Sequence, residues 1–169
     1  MAMTTTRERQ PDEDLVETDA VVRTMRPDDL EVVVAIDAAA SGRRRPRYFE
    51  LMLRRAIQDA SLQVSLVAEM EGRPVGFLVA TLYYSEYGMA EPSASIDAIG
   101  VEPGRRDHHV GREMMRQLRL NLGALRISSL RTEVAWDDFE LLRFFARQGF
   151  APARRLCLER PLEPTAPGD

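Results

Sequence analysis

The stretch Ile99-Gly100-Val101-Glu102-Pro103-Gly104-Arg105-Arg106-Asp107-His108-His109-Val110-Gly111 decides how the chain is read. Before it, Ser93 to Val101 has the character of a strand; after it, Val110, Met114, Met115, Leu118 and Leu122 mark one stripe of a helix running to Leu125. A tight turn therefore feeds a strand into a helix. The first N–H groups of a helix have no partner within it and point outward along the positive end of its dipole, so such a turn can grip a diphosphate. Arg105 and Arg106 add positive charge, and Gly111 lets a ligand or a neighbouring strand come close. Taken alone, the loop reads equally well as a solvated turn carrying two surface arginines.

Working outward, Leu62 to Met70 and Pro74 to Tyr84 are β-rich runs joined at Glu71-Gly72-Arg73 as a hairpin, and with Ser93 to Val101 they make an antiparallel meander. Upstream, Val21 to Met25 reads as a strand. Pro27-Asp28-Asp29 then opens a helix that continues through Leu30, Val33, Val34 and Asp37. After Ser41-Gly42, the basic link Arg43-Arg44-Arg45-Pro46-Arg47 leads into a second helix from Tyr48 to Ala60. Downstream come a strand from Ser129 to Trp136, a helix capped by Asp137-Asp138 that runs through Arg147 and stops at Gly149, and a last strand from Arg154 to Arg160. The order β-α-α-β-β-β-α-β-α-β, without an internal repeat, predicts an α+β fold with a mixed central sheet. One domain spans residues 20–160, between a disordered acidic tail at 1–19 and a polar tail at 161–169.

Composition excludes whole classes of chemistry. All 23 basic residues are arginine, so a lysine Schiff base and a Walker-type phosphate lysine are both ruled out. The first 20 residues hold six acids and two arginines, which accounts for the net charge of −4 and leaves the remainder balanced. A general nucleic-acid-binding surface is not indicated. Cys157 is the one cysteine, read as a small core residue, and His108 and His109 are the only histidines; neither set makes a metal site. No apolar run is long enough to span a bilayer, and the N-terminus lacks the apolar region of a secretory signal, so a cytoplasmic protein with no membrane partner is expected. Arg43, Arg44, Arg45 and Arg47 read either as a solvated charge run or as a site for an acidic acceptor or a nucleic-acid phosphate.

The run from Val101 to Gly111 resembles motif A of the GNAT acyltransferases, V-x-P-x-x-R/Q-x-x-G-x-G/A, with Val101, Pro103, Arg106 and Gly111 at its positions. Asp138 to Phe150 (DFELLRFFARQGF) resembles the family's motif B, a helix that begins with a short polar residue, carries an aromatic pair and closes in Gly-Phe. The element order is also the family's, so the likeness covers about Val21 to Glu159. It implies an acetyl-CoA-dependent N-acetyltransferase that moves an acetyl group to a primary amine of unknown identity by direct attack in a ternary complex. An acyl-CoA-binding regulator of the same fold that has lost turnover is the competing reading, and a homodimer is left open.

By the same resemblance, Ile99, Gly100 and Val101 lie along the pantetheine arm, where strand four bulges and splays from strand five. The segment Arg105, Arg106, Asp107, His108, His109, Val110 and Gly111 surrounds the diphosphate, and Asp138 contacts the pantetheine region. Two positions depart from the family pattern. His109 stands where glycine is usual, and is expected to join the diphosphate as an extra N–H donor. Phe145 stands where many members have the tyrosine that protonates the leaving thiolate, and Tyr83 or Tyr84 is a candidate substitute, with Tyr84 taken forward. Asp97, four residues before Val101 and read as sharing a strand face with Ile99, is the candidate base or, alternatively, the anchor of the acceptor's positive charge. Glu133 and Trp136 are further pocket candidates, although Trp136 reads more naturally as core.

Overall fold

A computed structural model describes residues 18–58, 64–84 and 91–160. The two expected tails lie outside them except for Thr18 and Asp19, as do the expected helix end at Asp59 and Ala60 and the expected strand start at Leu62. The described elements are β1 (Val21–Thr24), α1 (Leu30–Ser41), α2 (Pro46–Gln58), β2 (Leu66–Met70), β3 (Arg73–Tyr83), β4 (Ser93–Val101), α3 (Val110–Ala124), β5 (Ser129–Thr132) and α4 (Phe139–Arg147). Through α4 this is the order the sequence predicts. The chain falls into two compact units, divided between Ala135 and Trp136.

The first unit holds a five-stranded sheet in the order β1-β2-β3-β4-β5. Its first four strands are antiparallel, and β5 joins β4 in parallel, so the sheet is mixed. Glu71 and Gly72 link β2 to β3 with φ of 54° and 75°, the two left-handed residues a tight hairpin turn requires. Successive side chains on a strand face opposite ways, and β3 shows what each face meets. Phe77 and Val79 join Val33, Val34, Ile36, Phe49 and Leu53 in one apolar cluster under α1 and α2, where the Phe49 and Phe77 rings meet edge to face at 5.4 Å. Gly76 faces the other way. A Cβ there would come within 3.0 Å of Val110 and 3.2 Å of Met114, so its absence lets the start of α3 sit close on the strand.

The turn into α1 is fixed by ion pairs. Arg23 on β1 donates to both carboxylate oxygens of Asp29 at 2.8 Å and to Glu69 on β2 at 2.7 Å, while Asp29 also accepts the Arg26 N–H at 2.6 Å. Burial alone would raise the Asp29 carboxyl, but the hydrogen bonds and charges of Arg23 and Arg26 outweigh it and hold Asp29 below its ordinary value. α1 closes at Gly42, whose φ of 72° lets its N–H reach back to the Ala38 carbonyl.

In the second unit, Asp138 caps α4 by accepting the Leu141 N–H at 3.0 Å, and the Phe145 ring packs against Phe144 and Phe150 with centroids 5.3 and 5.0 Å away. Three expectations are corrected here. Residues 151–160 form neither helix nor strand, so the last strand is missing from the described residues. Leu156 and Leu158 are 88% and 89% exposed, and Cys157 is exposed rather than core. Alternating leucines supply a strand with a face, but a strand forms only when its N–H and C=O groups pair with a neighbour. Trp136 is 82% exposed and so is not core; β5 ends at Thr132, and the chain beyond it has left the regular ladder.

Candidate active site

The site begins where two parallel strands part. β4 and β5 pair from Ser93↔Ser129 to Ile96↔Thr132, and the Thr132 hydroxyl closes the junction by donating to the Ile96 carbonyl at 3.0 Å. β5 stops there while β4 runs on to Val101. Along Asp97 to Val101, β4 therefore has no strand partner on its β5 side among the described residues. Ile99, Gly100 and Val101 fall on this unpaired edge. Gly100 also has a packing reason: a Cβ would lie 2.6 Å from the Phe77 ring, which occupies that space from the paired strand.

The unpaired edge leads directly to the loop. Glu102 is anchored by its N–H to the Val75 carbonyl at 2.8 Å and by its carboxylate to Arg73 at 2.9 Å. Pro103 to His108 then form a short 3-10 helix, and Arg105 leans toward Glu71 of the hairpin turn at 3.9 Å. Thr18 donates its hydroxyl to the His108 carbonyl at 3.0 Å. His109 has φ 57° and ψ 15°, and its carbonyl receives the Glu113 N–H at 3.0 Å, the opening bond of α3. Below it, the N–H groups of Val110, Gly111 and Arg112 belong to the first turn, which has no partner inside the helix. The left-handed backbone gives a second reason, besides close ligand approach, why glycine suits position 109.

Asp97 sits at the base of the unpaired edge, and a bulge sets its direction. Val79 pairs with Ala98 and Ala80 with Ile96, so Asp97 is the extra residue in the ladder. Its carboxylate accepts the Thr81 hydroxyl at 2.5 Å, and Thr81 alternates with Val79 and Phe77 on the α1/α2 side of β3. Ile99 pairs with Leu78, which shares the opposite face with Gly76. The expectation that Asp97 and Ile99 share one face is thus corrected: the bulge breaks the alternation between them.

On that α1/α2 side stands a residue the sequence did not single out. Tyr48, in the first turn of α2, brings its hydroxyl to 3.5 Å from the Asp97 carbonyl. Its ring lies edge-on to Phe49 at 5.0 Å and under the Arg45 guanidinium at 5.0 Å. Arg45 is itself held by the buried Asp37, through two hydrogen bonds of 2.6 and 3.1 Å. Burial raises the Tyr48 phenol above its ordinary value, Arg45 draws it down, and the Asp97 and Asp37 charges add to the rise. The phenol is a proton donor at neutral pH. The signal for this arrangement was present in the sequence as Asp37 on an otherwise apolar helix stripe, followed eight residues later by Arg45.

The remaining candidates are spread out. Tyr84 follows the Tyr83↔Ser93 pair at the far end of β3 and is 64% exposed, whereas Asp97 lies opposite Val79 and Ala80, so the register separates the two. Arg131 lies over the Tyr83 ring at 4.6 Å. Asp138 spends an oxygen on capping α4, and Phe145 is buried between rings of its own unit. Within the arginine run, Arg45 is an ion-pair partner rather than a solvated charge, while Arg44 meets Glu31 only at 3.9 Å with both side chains largely exposed. Among the described residues no group of three His, Cys, Asp or Glu side chains could hold a metal, and no helix is long and apolar enough to cross a membrane.

A mixed sheet whose fourth and fifth strands part beside the start of a helix defines an α+β fold. The family model described as "Acetyltransferase (GNAT) family" matches residues 30–150, and the chain belongs to that family. Solved structures agree on the fold. A transcriptional regulator from Bacillus halodurans C-125 superposes with a TM-score of 0.69 at 19% identity, over 85% of this chain and 99% of that one. Ard1 from Thermoplasma volcanium gives 0.65 at 25% identity, over 79% and 83%. The aminoglycoside N-acetyltransferase AAC(6')-Iy, crystallised in complex with CoA, gives 0.66 at 16% identity, over 86% and 97%. A comparison of the sequence with curated proteins finds no match.

Proposed function

We propose that this protein is an acetyl-CoA-dependent N-acetyltransferase that passes the acetyl group to a primary amine by direct attack in a ternary complex. The observation that carries the reading is the fork: a β4 edge from Asp97 to Val101, without a strand partner on its β5 side among the described residues, that runs into the first-turn N–H groups of α3, which have no partner inside the helix. An extended amide-bearing arm can pair with such an edge as an added strand would. A diphosphate suits the N–H groups between Arg106 and Gly111, and Arg105 and Arg106 add charge to that end. Acetyl-CoA has both parts, and when bound it would supply an acetyl thioester at the fork.

The chain's own residues do the rest. An acceptor entering beside the bulge as an ammonium ion loses a proton to the Asp97 carboxylate, whose second oxygen accepts no hydrogen bond among the described residues. Thr81 fixes the carboxylate's orientation. The amine nitrogen bonds to the acetyl carbon, the carbon–sulfur bond breaks, the sulfur departs as a thiolate, and the nitrogen's remaining surplus proton passes to that thiolate or to water. A thiolate is a tolerable leaving group near neutral pH, so the missing hydroxyl at Phe145 does not forbid turnover.

The test is Asp97→Asn, which keeps the shape and removes the basic carboxylate. With acetyl-CoA and a panel of spermidine, kanamycin, glycine and an alanine-terminated peptide, kcat for the accepted amine should fall about 100-fold at neutral pH with acetyl-CoA affinity kept. An unchanged kcat with a raised acceptor KM assigns Asp97 to anchoring the amine instead. The second reading, an acyl-CoA-binding regulator, has Phe145 in its favour, and binding of acetyl-CoA without thiol release on any amine would select it.

A further inference from the structure

We infer that Tyr48 is an acceptor-positioning residue, donating a hydrogen bond from its phenol to the incoming acceptor beside Asp97, and that the Asp37–Arg45 pair holds its ring for that purpose. The inference rests on the transferase reading above and names a residue that neither motif of the family contains.

Three observations converge on Tyr48. Its hydroxyl stands at the β4 bulge, yet at 3.5 Å from the Asp97 carbonyl it lies at the limit of a hydrogen bond and is not committed to it. Its side chain is held on two sides, by the Arg45 guanidinium at 5.0 Å and by the Phe49 ring at 5.0 Å. The residue remains 39% exposed, so the described residues do not enclose it.

The cost of the arrangement argues that it has a use. Asp37 is buried on α1 and its half-exposed partner Arg45 must reach it from beyond the helix end, so a carboxylate is taken out of water where an apolar residue would fit the stripe. What the pair adds is direction. A guanidinium held by two hydrogen bonds to one carboxylate is restricted in orientation, and it favours one placement of the ring beneath it. A rigid donor next to a carboxylate selects a cationic amine that carries an oxygen acceptor close to its nitrogen, with the carboxylate taking the ammonium and the phenol taking the oxygen.

The test compares the parent with Tyr48→Phe on spermidine, which has no oxygen, and on kanamycin and an alanine-terminated peptide, which have oxygens near the amine. For an oxygen-bearing acceptor, Tyr48→Phe should raise the acceptor KM about five- to tenfold, with the acetyl-CoA KM and the melting temperature kept. Arg45→Met combined with Asp37→Leu removes both charges without leaving one buried alone. It should raise the same KM, and adding Tyr48→Phe to it should cost little more. An unchanged acceptor KM in Tyr48→Phe overturns the inference while leaving the transferase reading intact, as does fully additive behaviour of the triple variant. Preference of the parent for spermidine over both oxygen-bearing acceptors also overturns it. If the parent releases no thiol on any of the three amines, the transferase reading fails and this inference fails with it.

Discussion

At position 109 a single side chain carries two opposed demands. His109 holds a left-handed backbone between the 3-10 turn and α3, a conformation that costs a residue with a Cβ roughly 1–2 kcal/mol and glycine much less. As a proposed ligand contact, its ring would add a hydrogen bond to the diphosphate. His109→Gly is therefore expected to raise the melting temperature of the free protein while weakening acetyl-CoA binding about fivefold, the scale of one hydrogen bond. Thermal melts with and without acetyl-CoA read both effects, and equal affinity in the two proteins would show that the main chain alone holds the phosphates. Legibility at this scale was uneven. The turn from Arg105 to Gly111 could be read from its own residues as the passage from a strand into a helix, whereas its proposed part in binding came from the resemblance. Tyr48 could not: Asp37 on an apolar stripe with Arg45 eight residues later hints at an ion pair, but the bulge on β4 that brings Asp97 to the phenol has no local pattern.

Among the elements, the entry into α1 depends on three segments meeting. Arg23 of β1 binds Asp29 before α1 and Glu69 of β2, and the Asp29 carboxyl is held below its ordinary value by that contact. A depressed carboxyl pKa contributes stability that is present above the unfolded value, about 3.9, and is lost as pH falls through the folded one. Asp29→Asn should thus destabilise the protein by about 1–2 kcal/mol at pH 7, the scale of lost charge-assisted hydrogen bonds, since Arg23 keeps Glu69 as a partner. The difference from the parent should shrink below about pH 4. Denaturant titrations at pH 7 and pH 3.5 check this, and a difference that stays constant between them would contradict it. The elements that periodicity predicted well are those whose partners lie on either side of them, namely the β2–β4 meander and the amphipathic α3. It overreached at the C-terminal end, where Leu156 and Leu158 alternate as a strand would but lie exposed, and at Trp136, whose size suggested burial. Alternation reports which face could be buried; it does not report that a neighbour has arrived.

For the whole molecule, the proposed account is that one sheet, opened between its fourth and fifth strands, offers a coenzyme its backbone and an acceptor amine a carboxylate on the α1/α2 side. The balanced charge beyond residue 20 fits a small-molecule site better than a nucleic-acid surface, and the chain's membership of the acetyltransferase (GNAT) family gives the opening a cosubstrate class to test. A ligand that binds only the folded state stabilises it by mass action, by about 2.7 kcal/mol at one hundred times its dissociation constant. The most direct measurement is a calorimetric titration of the full chain with acetyl-CoA, paired with thermal melts at the same concentrations. The account predicts saturable binding of one acetyl-CoA per chain and a melting temperature that climbs with ligand; a flat titration and an unmoved melting temperature at millimolar acetyl-CoA would contradict it.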